Sequence, residues 1–344
     1  MSVAYVISTW FSVAAAACLM TAGLGNLALA DPPRALKKQY VLISFDGARE
    51  LDQWKRSKAL ADKTGARFTY FFSCTNLLPH ERSGEYHSPG GHVGKSNIGF
   101  APVQSDIRAR LAMLWEMSVE GHDIANHTCG HFDGKNWTKS DWLQEFASFD
   151  RIMANAFKDN HIGYEPPGWR HFVAKGIRGF RAPYLSTGPG LYQALAARGF
   201  AYDASGVEDR PSGAHQEGQL ARFALPLIPE GPSQRRIVAM DYNLFVRHSG
   251  GFDRPSGSAE FEERSYQAFR KSFDRQYDGK RQPVQIGMHF TLMNGAAYWR
   301  AMERLVNEVC VKRDVRCTTY SKYLEENPPR PMILAKAELR KGGS

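Results

Sequence analysis

Residues 39–46 read Gln39-Tyr40-Val41-Leu42-Ile43-Ser44-Phe45-Asp46, and the fold follows from what surrounds them. A short β-branched, apolar run that stops at a carboxylate is a buried strand ending at a functional edge. Leu51 to Lys63 then has helical spacing, and Arg67 to Ser73 is a second strand. The alternation continues with helices at Ile107 to Glu120, Lys139 to Phe157, Gly190 to Arg198, Ala259 to Tyr277 and Ala297 to Lys312. Between them come strands at His122 to Asn126, Arg178 to Arg181, Phe200 to Tyr202, Arg236 to Met240, Val284 to Met288 and Arg316 to Thr319. Residues 79–105 have no periodicity and read as a long loop, a length that compact domains usually reserve for function. The Gly/Pro-rich stretch from Gly206 to Ser233 reads as an excursion. Repeated β-α pairing without internal repeats predicts a single-domain α/β fold, a distorted (β/α) barrel with seven or eight parallel strands, in preference to an open doubly wound sheet.

Composition agrees with a packed core. Of 344 residues, 43% are apolar, 12% aromatic and 23% charged, which excludes a disordered or fibrous chain. The net charge of +9 is spread over scattered Lys and Arg; no basic stripe indicates a nucleic-acid partner, and the charge fits an anionic envelope polymer or a solvated surface equally. The first thirty residues carry no Lys, Arg, Asp or Glu and end Ala28-Leu29-Ala30. That is a signal-peptide pattern over 1–30, giving a secreted or periplasmic chain with no membrane span after cleavage. The missing positive n-region leaves an uncleaved anchor as the alternative. A Gly23-Leu-Gly25-Asn-Leu-Ala28 match to a dinucleotide fingerprint has no strand before it and is discarded. The domain is expected over 38–325, with a C-terminal tail at 326–344.

Asp46, His127, Arg181, Asp203 and His289 each fall at or just past the C-terminal end of an expected strand, where α/β barrels assemble their active sites. Alone, each is equally well a capping carboxylate, a core histidine or a surface arginine. Together they point to one site. In His127-Thr128-Cys129-Gly130-His131 the two imidazoles can reach one metal ion.

Phe45-Asp46, His127-Thr128-x-x-His131, Arg181-x-Pro183-Tyr184, Tyr202-Asp203 and Met288-His289 resemble, in order and spacing, the five motifs of the polysaccharide deacetylases, the carbohydrate esterase group that includes chitin deacetylases and the rhizobial nodulation protein B. The contexts around Gly179-Phe180-Arg181, Gly199-Phe200 and Gly287-Met288-His289 look most like animal-type chitin deacetylases. The resemblance implies hydrolysis of N-acetyl groups on an amino-sugar polymer or oligomer, with a divalent metal, usually Zn2+, held by His127 and His131. It further implies Asp46 as general base, Arg181 orienting that base, the backbone at Tyr184 in the oxyanion hole, His289 protonating the leaving amine, and Asp203 tuning His289.

One departure matters. Where the family has a second aspartate as metal ligand, this chain has Gly47. Asp46 as a ligand, Asp133 swinging in, or a Cys129 thiolate are three ways to complete the site. A catalytically impaired glycan-binding barrel is the reading if none does, and an amidohydrolase acting on a small non-sugar amide, in a closed pocket, is a third. Cys74 ends the strand before Cys129 in barrel order, within bridging reach, so a Cys74–Cys129 disulfide competes with the thiolate. Cys310 and Cys317 flank a short polar turn and form a second candidate pair.

Overall fold

Gln39–Gly47 forms strand β1, buried from Gln39 to Asp46, as a strand covered on both faces must be. In this computed structural model, which describes residues 37–329, it is followed by α1 (Leu51–Thr64), β2 (Thr69–Phe72), a hairpin of β3 (His87–Ser88) and β4 (His92–Val93), and α2 (Gln104–Val119). Next come β5 (Asp123–Asn126), α3 (Lys139–Asp159), α4 (Trp169–His171), β6 (Gly179–Phe180), α5 (Pro189–Arg198), β7 (Tyr202–Glu208), β8 (His215–Glu217) and β9 (Leu220–Glu230). The described chain closes with β10 (Arg235–Val238), α6 (Asp241–Ser249), α7 (Ser258–Tyr277), β11 (Val284–His289), α8 (Met293–Val309), β12 (Val315–Cys317) and α9 (Tyr320–Glu326). All of it belongs to one compact unit beginning at Lys37. The expected signal peptide lies outside the described residues, as does the tail from residue 330 on.

The main sheet runs β10-β9-β7-β6-β5-β2-β1-β11, with β12 on β1 and β8 on β9. Strands β1, β2, β5, β6, β7, β9, β11 and β12 are mutually parallel, and β8 and β10 run antiparallel to β9. The sheet curls until Met240 and Gly287 form a single parallel bridge. No longer ladder joins β10 to β11, so the expected barrel is a barrel-like mixed sheet that does not close. Among the described residues, no helix is long and apolar enough to cross a membrane.

Of the elements that were not expected, two bear on the sheet and the site. The first, β9, occupies the stretch taken as an excursion. Its Pro226 and Pro229 look like breaks, yet β9 pairs through both: the Pro226 carbonyl accepts from Ala239 N–H at 2.9 Å, and Pro229 lies opposite Arg236 of the edge strand β10. The second, α6, starts at Asp241 and stops at Gly250 in the left-handed region, φ 69°. The expected loop at 79–105 contains the β3-β4 hairpin and sends Tyr86 into the core. Both cysteine pairs form as read, Cys74–Cys129 and Cys310–Cys317, which removes the Cys129 thiolate from the candidate metal ligands.

Chain crossings depend on close approach at Gly179, where a Cβ would overlap the Tyr202 ring. That ring cannot retreat easily, because its hydroxyl donates to the buried Asp123 carboxylate at 2.7 Å. Gly179→Ala should therefore destabilise the fold by about 1–3 kcal/mol, read as a lower urea midpoint with unchanged slope.

Candidate active site

The parallel register puts Asp46 beside His289 and Phe71, and His127 and Arg181 follow the last residues of β5 and β6. All four therefore emerge at the C-terminal ends of parallel strands, in the order β6-β5-β2-β1-β11 with β2 between Asp46 and His127. Arg181 is fully buried. Its Nη1 donates to Asp46 Oδ1 and to Ser44 Oγ, both at 2.8 Å, its Nε to the Ala204 carbonyl at 2.9 Å, and its Nη2 to Tyr320 Oη at 3.2 Å. The guanidinium also lies 4.2 Å above the Phe71 ring. Burial pushes the Asp46 carboxyl pKa up, but the charges of Arg181, His127 and His289 outweigh it and hold the pKa below the usual carboxylate value. The Asp46 carboxylate is thus held in its ionised form.

The His127–His131 turn is built from unusual backbone. Thr128 and His131 have φ of 63° and 55°, and a Cβ at Gly130 would meet the Phe132 and Tyr86 side chains at 2.6 Å. Beneath it lies Glu145 of α3, fully buried, accepting from Cys129 N–H at 2.7 Å and Gly130 N–H at 3.3 Å and from the Tyr86 hydroxyl at 2.9 Å. Burial keeps this carboxyl pKa above its ordinary value despite those donors. The sequence reading missed Glu145, since its only signal is a carboxylate at a core position of an amphipathic helix.

His127 Nδ1–H donates to the Arg181 carbonyl at 2.7 Å, which leaves Nε2 with its lone pair. Burial is the main reason that the pKa values of both imidazoles fall, that of His131 to about 3. Their rings sit 5.0 Å apart at a steep angle. Two neutral imidazoles so placed suit a metal ion, and the carbonyl partner of His127 fixes its tautomer as ligating histidines require. The donor set stops there. Among the described residues no group of three His, Cys, Asp or Glu could hold a metal ion, Cys129 is in a disulfide, and Asp133 is exposed and accepts from Lys135 N–H at 2.9 Å. Gly47, at φ 82°, has nothing within 4 Å of where a Cβ would be. The two imidazoles are thus candidate ligands without a complete donor set around them.

His289 does not pair with Asp203, contrary to expectation. Its Nδ1 and its backbone N–H both donate to Asp241, at 2.6 and 2.8 Å. Burial lowers the imidazole pKa, but the Asp241 charge and hydrogen bond, with help from Asp46, outweigh it and leave it above the ordinary value. Asp203 instead accepts from Ser205 Oγ and N–H, while that Oγ accepts from Ala182 N–H at 2.8 Å. Asp203 thus braces the Arg181-Tyr184 segment from behind. Burial raises its pKa to about 6. Asp241 was legible: it follows the expected strand at 236–240 by one residue, the same rule that selected the others.

Asp46, His127, His131 and His289 line one cleft of about 800 Å³ together with Tyr184, Leu185, Tyr242, Asp253 and Leu292, while Arg181 and Asp241 lie buried behind it. Tyr184 and Leu185 have φ of 58° and 55°, a strain of the kind that gathers at functional sites. The long loop joins the wall, as Asn97 Nδ2 donates to the His131 carbonyl at 3.0 Å and to Tyr184 Oη at 3.3 Å.

The family model for polysaccharide deacetylase matches residues 34–175, the segment that carries Asp46, His127 and His131. The chain carries a polysaccharide deacetylase domain. Beyond the matched segment of this deacetylase-type hydrolase, Arg181 bonds Asp46 and Asp241 bonds His289, both behind the same cleft. Three solved structures share the fold. A protein of Mycobacterium smegmatis assigned to the polysaccharide deacetylases superposes with TM-score 0.52 at 15% identity, over 86% of this chain and 92% of its own. One of Pseudomonas aeruginosa PAO1 with the same assignment gives 0.50 at 13%, over 85% and 92%. Puue allantoinase gives 0.51 at 14%, over 88% and 96%. No curated protein matches the sequence.

If the Asp241 carboxylate keeps His289 protonated, Asp241→Asn should lower the histidine pKa. The protonated form is then lost at lower pH, so the alkaline limb of the rate–pH profile should move down and the plateau rate should fall by up to about 100-fold. An unmoved alkaline limb would show that His289 is not the titrating acid.

Proposed function

We propose that this chain hydrolyses N-acetyl groups from an amino-sugar polymer or oligosaccharide outside the cytoplasm. The observation that carries the reading is the convergence of an ionised carboxylate tethered by arginine, Asp46–Arg181, with a carboxylate-supported imidazole, His289–Asp241, on one cleft. Asp46 is suited to take the proton of an attacking water, and His289 to deliver one to the leaving nitrogen, a step amide cleavage needs. A carboxylate of lowered pKa and an imidazole of raised pKa keep the base ionised and the acid protonated over the same pH range. The left-handed turn at Tyr184 is the expected place for backbone donors to the developing oxyanion.

His127 and His131 are the residues to hold a divalent cation, Zn2+ by the family resemblance, and with two protein ligands they should hold it weakly. A bound cation there would polarise the acyl carbonyl. The exposed Tyr184, Tyr242 and Leu292, at 60, 53 and 42% accessibility, make the cleft an open one. That supports a polymeric or oligomeric glycan over the small non-sugar amide suggested by the fold shared with Puue allantoinase. The finer likeness to animal-type chitin deacetylases rests on the sequence contexts alone. Two disulfides support an oxidising compartment. The second reading, a glycan-binding barrel with impaired catalysis, is favoured by Gly47 and the incomplete donor set.

Acetate release from chitooligosaccharides and zinc content after dialysis test these readings together. His127→Ala should lose both metal and rate, whereas Asp46→Asn should keep the metal and lose about 100-fold or more in rate; loss of metal in Asp46→Asn would make that carboxylate a ligand. Gly47→Asp should raise zinc retention. Zinc binding with no acetate release from any acetylated glycan would sink the enzymatic reading.

A further inference from the structure

A second cavity lies at the other end of the sheet. It encloses about 1070 Å³ and is walled by residues that precede strands: Arg67 before β2, His122 before β5 and Arg178 before β6. Lys175 comes from Phe172–Gly176, a π-helical turn, a rare conformation found mostly at functional sites.

Charge in this cavity is unbalanced. Arg67, Lys175 and Arg178 make no ion pair with any described carboxylate, and the Lys175 and Arg178 side chains make no hydrogen bond either. Arg67 is held in place by its Nε donating to the Glu120 carbonyl at 2.6 Å and its Nη1 to the Ala66 carbonyl at 2.8 Å. Neither carboxylate at the cavity wall is free to neutralise them: Asp123 accepts from the Tyr202 hydroxyl and from Ser321 N–H and Oγ, and Glu325 pairs with Lys322 at 2.8 Å. A second observation is independent of charge. His122 is buried, its Nδ1 accepts from Phe68 N–H at 3.0 Å, and its Nε2, which therefore carries the hydrogen, has no acceptor. The buried Nε of Arg316 is a further donor without one.

Clefts lined by one sign of charge concentrate counter-ions, and guanidinium groups match the planar geometry of carboxylate and the oxygens of phosphate. We propose that this cavity is a second binding site, for a ligand carrying two or more oxyanion groups, phosphate or carboxylate. It lies at the opposite end of the strands from the deacetylase cleft and does not depend on the reading of that cleft.

The test is calorimetric titration of the full chain with pyrophosphate and with citrate at low ionic strength, the two arms separating phosphate from carboxylate. A saturable isotherm with at least one of them, weakened tenfold or more in the double variant Lys175→Ala/Arg178→Ala and by added salt, is expected. Acetate release and the thermal midpoint should be unchanged in that variant, whose substituted side chains are exposed. His122→Phe should weaken binding separately; should it fail to fold, the double variant decides alone. No saturable binding by either anion would overturn the proposal. So would binding that survives in the double variant, or that is lost in His127→Ala, which would put the anion at the catalytic cleft.

Discussion

A guanidinium without solvent contact organises the catalytic end of this protein. Arg181 reaches across the interior of the curled sheet to Asp46 and Ser44 on β1, to the Ala204 carbonyl on β7 and to Tyr320 at the start of α9, while its own carbonyl receives the His127 Nδ1 hydrogen. Removing one partner of a buried pair strands the other charge in a medium that cannot solvate it, a cost of about 3–5 kcal/mol. The barrel-like curl is what brings these distant segments within reach of one side chain, and the network in turn fixes where the carboxylate and the imidazole point.

Around that pair, the site divides its work between two electrostatic environments. On one side Asp46 stays ionised because three cationic or dipolar groups face it. On the other, His289 is kept basic by Asp241. Opposite shifts in neighbouring groups are how a single cleft holds an acceptor and a donor of protons at one pH. The His127–His131 turn is a third unit, stiffened by the Cys74–Cys129 bond and by the buried Glu145 that gathers its N–H groups. Its rigidity does not compensate for Gly47. Two imidazoles are presented, and the position that would complete them is open space.

The opposite end of the sheet has a different character. There the strands begin, donors outnumber acceptors, and a π-helical turn replaces regular structure. Positive charge left unpaired at one end and a balanced acid–base set at the other mean that the net charge of +9 is not only a solvated surface.

Much of this was legible in the chain itself. Short apolar, β-branched runs and period-3.6 patterning gave the strands β1, β5 and β11 and the helices α1, α3 and α7 nearly to the residue, because the strands are buried on both faces and the helices on one. Asp46, His127, His131, Arg181 and His289 were legible because strand ends in parallel sheets are where such groups collect. What the sequence left open was decided by tertiary placement. β9 was hidden by prolines, across which it still pairs with β7 on one side and β10 on the other. The partner of His289 was a choice between two aspartates, both near strand ends, and only the approach of Met240 to Gly287 carries Asp241, not Asp203, to the imidazole. Residue types and their order determine which groups can do chemistry; which of them meet depends on how far the sheet curls, a property no local pattern contains.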